Sequence, residues 1–182
     1  MAMLCVAVVC VFIADSAITN WGAVYLRDVL DGSARVAALV YGTYAGAIVL
    51  GRVLGDPAVD RFGPVPVVRG YAITAVAGLG VIVAAPTPAI GLAGFALLGL
   101  GLSIVAPQAF ATVARIDHVN RDIRVARLNI CSYLGFIIGT PLIGLVAHAS
   151  TLRWGFMVPL LLVGSLVGMA RAFGPSLRQH CV

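Results

Sequence analysis

Long apolar runs alternate with short polar breaks along the whole chain. Six apolar segments stand out, at about residues 3–26, 35–55, 66–86, 89–111, 124–147 and 152–173. Each is about 20 residues or more with almost no charge, the length an α-helix needs to cross the hydrocarbon of a bilayer. Backbone N–H and C=O groups find no water there, so each segment is expected to be helical. The pattern predicts an all-α polytopic membrane protein, with residues 1–182 forming one domain of six transmembrane helices. The Pro86-Thr87-Pro88 link is so short that segments three and four are expected to be antiparallel neighbours.

Composition agrees with this pattern. The chain is 61% hydrophobic and 10% charged, with a mean hydropathy of +1.05, whereas soluble domains average about 45–50% apolar and about 25% charged. A lipid bilayer is therefore the expected surrounding, and the net charge of +5 has to be read loop by loop, not as a sign of nucleic-acid binding. The apolar run from Met1 to Ile13, followed by Ala14-Asp15-Ser16-Ala17, has the look of a secretory signal. It lacks a positive n-region and stays apolar through Leu26, so the first helix is expected to begin almost at Met1 with no leader.

The stretch Gly51–Arg69 holds three of the twelve arginines and two of the seven aspartates, and reads as a short charged turn between segments two and three. Arg52, Arg61, Arg69, Arg115, Arg121, Arg124, Arg127, Arg171 and Arg178 fall on one side of the six segments. Arg27, Arg35 and Arg153 fall on the other. Cytoplasmic loops carry the basic excess, so both termini are expected in the cytoplasm and the protein in the inner membrane.

Within the segments, Gly42/Gly46 and Gly51/Gly55 are spaced four apart, which lets helices approach closely. Pro107, Pro141 and Pro159 lie inside expected helices, where each removes an N–H and permits bending. Asp15 is the acidic residue well inside an apolar segment, and an ionisable group at that depth costs about 2.5 kcal/mol or more on insertion scales. Its helical face continues to Thr19 and Gly22, which predicts a narrow polar stripe toward the bundle interior. Two roles stay open for it, binding of solute or proton and a structural hydrogen bond to another helix. Trp21 and Tyr25 are expected as interfacial anchors.

Tyr41, Tyr44, Gln108, Asn129, Ser132 and Tyr133 are the remaining polar groups at depth. They fit either a cavity for a small organic solute or single helix–helix hydrogen bonds. Cys5, Cys10, Cys131 and Cys181 form no CxxC pair, and His118, His148 and His180 lie in expected loops or the tail. Packing explains the cysteines, and no metal or other cofactor is expected. Asp28, Asp31, Gly32 and Arg35, followed by Asp56 and Asp60, resemble the Asp-rich signature of CDP-alcohol phosphatidyltransferases. Here Asp31 and Asp56 are separated by a spanning segment, about 30 Å of hydrocarbon, too far apart to share metal ions. Nor is there a Ser/His/Asp or His/Glu arrangement at depth, so the chain reads as a non-enzyme.

Gly55-Asp56-x-x-x-Asp60-Arg61-Phe62-Gly63 resembles the cytoplasmic loop motif found between the second and third helices of each six-helix half of the major facilitator superfamily. Trp21-Gly22-Ala23-Val24-Tyr25-Leu26, Gly94-Phe95-Ala96-Leu97-Leu98-Gly99-Leu100-Gly101 leading to Pro107, and Tyr133-Leu134-Gly135-Phe136 with Gly139-x-Pro141-x-x-Gly144 are similar to the second half of such a transporter, in its sugar-permease-like and uncharacterised inner-membrane branches. The resemblance implies a secondary transporter working by alternating access around a central site. It assigns Gly55, Asp56, Asp60, Arg61 and Gly63 to a cytoplasmic gate, with Arg115 and the Asp117–Arg127 segment as partners of Asp60 and Arg61. By their depth, Asp15, Thr19, Tyr41, Tyr44, Gln108, Asn129 and Tyr133 are the candidates for binding solute or proton, and the resemblance adds that Asp15 keeps a carboxylate where that branch tends to carry a Glu. Two departures stand out: Asp56 replaces the expected glycine, and Pro64-Val65-Pro66 replaces the expected basic pair.

A transporter of this type needs two six-helix halves, and one is present. The resemblance therefore implies a second half as partner, which is a missing N-terminal half of a longer chain, a separate chain or a second copy. The expected function is transport of a small solute, with a proton as candidate coupling ion. The alternative is a non-transporting vestigial or assembly protein of the membrane.

Overall fold

The computed structural model describes residues 1–116 and 121–174. Asp117 and His118, together with Arg178, His180 and Cys181 of the tail, lie outside them. The described chain is helical throughout: α1 Ala2–Val24, a π-helical turn Tyr25–Val29, α2 Ala34–Phe62, α3 Pro64–Ala84, α4 Pro88–Leu102, α5 Val105–Ile116, α6 Arg121–Ala149, α7 Leu152–Gly155, α8 Met157–Met169, and a 3-10 turn Ala170–Phe173. These form six spans long and apolar enough to cross a membrane, with α4–α5 and α7–α8 each counting as one.

The breaks follow from local chemistry. Pro107 has no N–H for the Ser103 carbonyl, and the fourth span breaks at Ser103-Ile104, where the Ser103 hydroxyl donates to the Leu100 carbonyl at 2.7 Å. Pro159 likewise leaves the Gly155 carbonyl without a donor, and the sixth span breaks at Phe156. Thr87 caps α4, accepting from the Ile90 N–H at 3.5 Å, and Pro88 takes the first helical position, where a missing N–H costs nothing.

The charged stretch Gly51–Arg69 is not a turn. Helix α2 runs past residue 55 to Phe62, carrying Asp56, Asp60 and Arg61 on its last two turns. Pro57 lies in a part of α2 where many side chains are uncovered, with Val53 66% exposed and Phe62 63% exposed. The reversal is made at Gly63, with φ +83° and ψ 164°, a region nearly closed to residues with a Cβ. Pro64 then starts α3 at once.

Tyr25 is not an interfacial anchor. It is 0% exposed, because the π-helical turn directs it inward, where its hydroxyl donates to the Ile82 carbonyl at 2.7 Å. Its ring meets Phe156 edge-on, with centroids 4.9 Å apart. Arg153 closes the same end of the bundle by donating to the Ala85 carbonyl at 3.0 Å.

Helix α1 is central, packed against α2, α6 and α8, and α3 lies against α4. Glycine sets the closest approach of α3 and α4: a Cβ on Gly101 would run into the Ala75 backbone, and one on Gly78 into the backbone of Leu98. The bundle is covered unevenly. The first and fourth spans are each 56% buried over their most apolar stretch, the second 28% and the fifth 22%. The second and fifth spans, α2 and α6, both packed against α1, are therefore the least covered.

Candidate functional site

Asp15 lies midway along α1, and Tyr44 lies on the buried face of α2. The Tyr44 hydroxyl donates to Asp15 Oδ1 at 2.6 Å. Tyr44 is 2% exposed, held in place by α4, since Gly99 is the residue that lets α4 pass against the Tyr44 ring and carbonyl. A phenol so buried needs an acceptor, and the carboxyl group supplies one.

The pair borders a cavity of about 140 Å³ between α1, α2 and the α4–α5 break. Its walls are mostly apolar, with Phe12 and Leu102 among them, and its polar groups are Asp15, Tyr44, Arg52 and Ser103. At about 30 Å³ per liquid water, the cavity has room for a few waters or a small solute fragment. An apolar lining with a few convergent polar groups is the usual make-up of a small-molecule site.

The other sequence candidates are not in this lining. Thr19 is uncovered, and its hydroxyl donates to the Asp15 backbone carbonyl at 2.9 Å. Gly22 turns the other way, against Val40 and Phe95. The expected inward stripe is thus divided: residues four apart on a helix differ by about 40° and residues seven apart by about 20° in the opposite sense, which here separates an open face from a packed one. Tyr41 and Tyr133 are 62% and 63% exposed, and Asn129 is also uncovered, all three on the uncovered faces of α2 and α6. Gln108 is buried on α5, and among the described residues its side-chain carbonyl oxygen has no hydrogen-bond partner. Ser132 bonds within its own helix, to the Leu128 carbonyl at 3.1 Å.

A second polar group joins α1 to α6. Thr140 Oγ1 is 2.6 Å from Ser16 Oγ and accepts from Asn20 Nδ2 at 3.0 Å. The Thr140 carbonyl accepts from Trp21 Nε1 at 3.1 Å. These bonds cluster at the turn of α6 loosened by Pro141, and Gly135, Gly139 and Gly144 bring α6 against Val9, Ile13 and Trp21. Trp21 is thus a helix–helix contact. The sequence signal for this clamp is a threonine directly before an interior proline.

At the Gly63 end, Gly55 packs against Ile104 and the Tyr71 hydroxyl, and that hydroxyl donates to the Gly51 carbonyl at 3.0 Å. Asp56, Asp60 and Arg61 are uncovered. Among the described residues Asp60 and Arg61 form no ion pair, and the Arg61 guanidinium lies 5.4 Å from the centre of the adjacent Phe62 ring. Asp117, expected opposite them, is outside the described residues. Gly42 and Gly46 have open space where a side chain would go, in contrast to Gly51 and Gly55.

Comparison with known proteins follows the same lines. The family model of the Major Facilitator Superfamily matches residues 4–177. Membrane protein MosC of Rhizobium meliloti is 32% identical over 161 residues, covering 88% of this chain and 39% of the relative. The uncharacterized transporter y4wD of Sinorhizobium fredii is 34% identical over 160 residues, 88% of this chain and 41% of the relative. Among solved structures, a variant of the E. coli fucose:proton symporter FucP matches 96% of this chain and 43% of its own, with a TM-score of 0.85 at 22% identity. The chain thus spans about two-fifths of the length of these relatives.

Proposed function

Since this chain belongs to the Major Facilitator Superfamily, we propose that it forms one six-helix half of a secondary transporter, and that the Asp15–Tyr44 cavity is its share of the solute path. The observation that carries the reading is the carboxyl–phenol pair. A carboxyl group midway through a spanning helix is costly, and here it borders a cavity between α1, α2 and the α4–α5 break. The solute is small, and a proton taken up by Asp15 is the coupling ion. The fucose:proton symporter among the structural relatives makes L-fucose a first neutral solute to try.

The uncovered faces of α2 and α6 are where the second half docks. In favour of this are relatives more than twice as long, and Gly42 and Gly46 with no packing partner. Tyr41, Asn129 and Tyr133 on those faces become lining groups once a second half closes over them, as do Thr19 and the outward end of Asp15. Gln108 is a further candidate through its unpaired carbonyl oxygen. The arginine excess on the Gly63 side, with Arg52, Arg61, Arg69, Arg115, Arg121, Arg124, Arg127 and Arg171 among the described residues, favours a cytoplasmic position for that end. There we read Gly55, Asp56, Asp60, Arg61 and Gly63 as a gate: Asp60 and Arg61, unpaired here among the described residues, would form exposed ion pairs in the other state, weak enough to bias a two-state equilibrium without locking it.

The test is solute uptake, under an imposed pH gradient, into vesicles of native membranes, where the second half is present, carrying the wild-type chain or Asp15→Asn. Loss of the pH-gradient dependence is expected. Unchanged gradient-driven uptake in the variant removes Asp15 from coupling. A denaturing blot of native membranes with an antibody to the C-terminal tail identifies the second half: a band near 18.8 kDa points to a separate chain or a second copy, and one about twice that size to a longer chain.

A further inference from the structure

The cavity holds a group that proton uptake by Asp15 leaves unused. Tyr44, Ile48 and Arg52 are spaced four apart on α2, and all three line it. Arg52 lies about 12 Å along the helix from Tyr44 and about 15 Å short of the end of α2 at Phe62. Among the described residues its guanidinium makes no hydrogen bond and no ion pair. Ionisable groups in spanning segments ordinarily pair or line a water-filled path. Arg52 lines the path and has its five donors free.

Among the described residues neither opposite polar group pairs with it, although Asp15 carries the opposite charge until it takes up a proton. Asp15 is engaged through Oδ1 with Tyr44, and the Ser103 hydroxyl is engaged with the Leu100 carbonyl. The remaining walls, such as Phe12, Ile48 and Leu102, are apolar. A cationic solute would meet the guanidinium repulsively. A neutral solute would gain nothing from the charge of Arg52, which is uncovered in this half, and would leave its donors to water. A planar carboxylate or a phosphate satisfies two of its donors at once.

We infer that the transported solute is a small organic anion, with its carboxylate or phosphate held by Arg52 and its apolar body against the Phe12–Leu102 wall. This rests on the reading of the cavity as part of the solute path. Arg52 then sets the charge class of the solute, while Asp15 and Tyr44 set its orientation.

The test is ligand-dependent thermal stabilisation of the full chain in lipid nanodiscs, with pyruvate, acetate and inorganic phosphate as anionic probes and L-fucose as the neutral one. Wild type, Arg52→Gln, Arg52→Lys and Tyr44→Phe are compared. Arg52 is uncovered and packs no core, so its variants are expected to fold, and the unliganded melting temperature checks this. Stabilisation of the wild type by an anionic probe is expected, with an apparent affinity about tenfold or more weaker in Arg52→Gln and partly restored in Arg52→Lys. Pyruvate acting more strongly than phosphate identifies a carboxylate solute, and the reverse identifies a phosphate ester. Equal stabilisation of wild type and Arg52→Gln by the anions overturns the inference, since the anion then sits elsewhere or Arg52 only reaches to headgroups. Stabilisation by L-fucose alone, lost in Tyr44→Phe, also overturns it but leaves the cavity as the solute path. No response to any probe overturns both.

Discussion

The Tyr44 hydroxyl and the Asp15 carboxyl group meet at 2.6 Å across the α1–α2 contact, the phenol fully packed and the carboxyl group facing a cavity. This bond does two things at once: it satisfies a buried phenol and it fixes the direction of the carboxyl group. Tyr44→Phe keeps the packing and removes the bond. Hydrogen bonds between membrane helices are worth about 0.6 kcal/mol on average and up to about 1.7, so a loss of about 1 kcal/mol is expected in reversible unfolding in mild detergent. Tyr41→Phe, on the open face, is expected to change nothing in the same assay, and an equal loss there would mean that the Tyr44 bond contributes little.

Glycine positions separate the packed from the unpacked sides of the bundle. Gly101→Ala drives a methyl group into the Ala75 backbone, which has no flexible end to give way, and overpacking of this kind costs about 1–3 kcal/mol. Gly46→Ala meets nothing and gains helix propensity of about 0.8–1 kcal/mol. The isolated chain is therefore expected to melt lower with the first substitution and no lower with the second. If a second half covers α2, Gly46→Ala weakens that assembly even so, which co-purification of the two halves reads directly.

Much of the fold is legible in the amino-acid sequence. Six spans follow from length and hydropathy because lipid enforces helices, and the family follows from the Gly55–Gly63 motif together with the glycine and proline patterns. Other features are hidden there for physical reasons. The end of α2 is masked because Asp56, Pro57 and Asp60 look like a loop, whereas an exposed helix end tolerates all three. Tyr25 looks like an anchor because hydropathy carries no sign of a π-helical turn that rotates one side chain inward. Arg52 looks like one of the loop arginines because a one-dimensional pattern does not say that α2 keeps it on the face of Tyr44 and Ile48. The Thr140 clamp escapes for a similar reason, since its partners are about 120 positions away.

That clamp is open to a direct test. Thr140 bonds Ser16 and Asn20 through one hydroxyl, so Thr140→Val, which keeps the branched shape, is expected to lose about 1 kcal/mol. Asn20→Ala in the Thr140→Val background is expected to cost less than in the wild type, because the Asn20–Thr140 bond is already gone. A double-mutant cycle on thermal unfolding gives the coupling directly, and strictly additive losses would show that the two residues do not interact.

The motif end is testable through both backbone and charge. Gly63→Ala forces a Cβ into φ +83° and ψ 164°, at an expected cost of about 1–3 kcal/mol in the melting experiment. Asp60→Ala leaves the fold intact and is expected to shift the ratio of inward-open to outward-open forms, read as the labelling rate of single cysteines placed at each end of the cavity. Identical labelling rates in the two proteins would take Asp60 out of the gate.

The unbroken course of α2 through the charged stretch has a mechanical consequence. Tyr44 and Asp60 sit on one helix, 16 residues and about 24 Å apart, with no loop between them and with Pro57 as an interior break in the hydrogen-bond ladder near the tip. A tilt of about 10° around the Tyr44 contact carries Asp60 sideways by about 4 Å, a displacement of the order of the ion-pair distances made and broken at a helix end. Under the proposed function, a solute that tilts α2 from the cavity would move the charged tip with it.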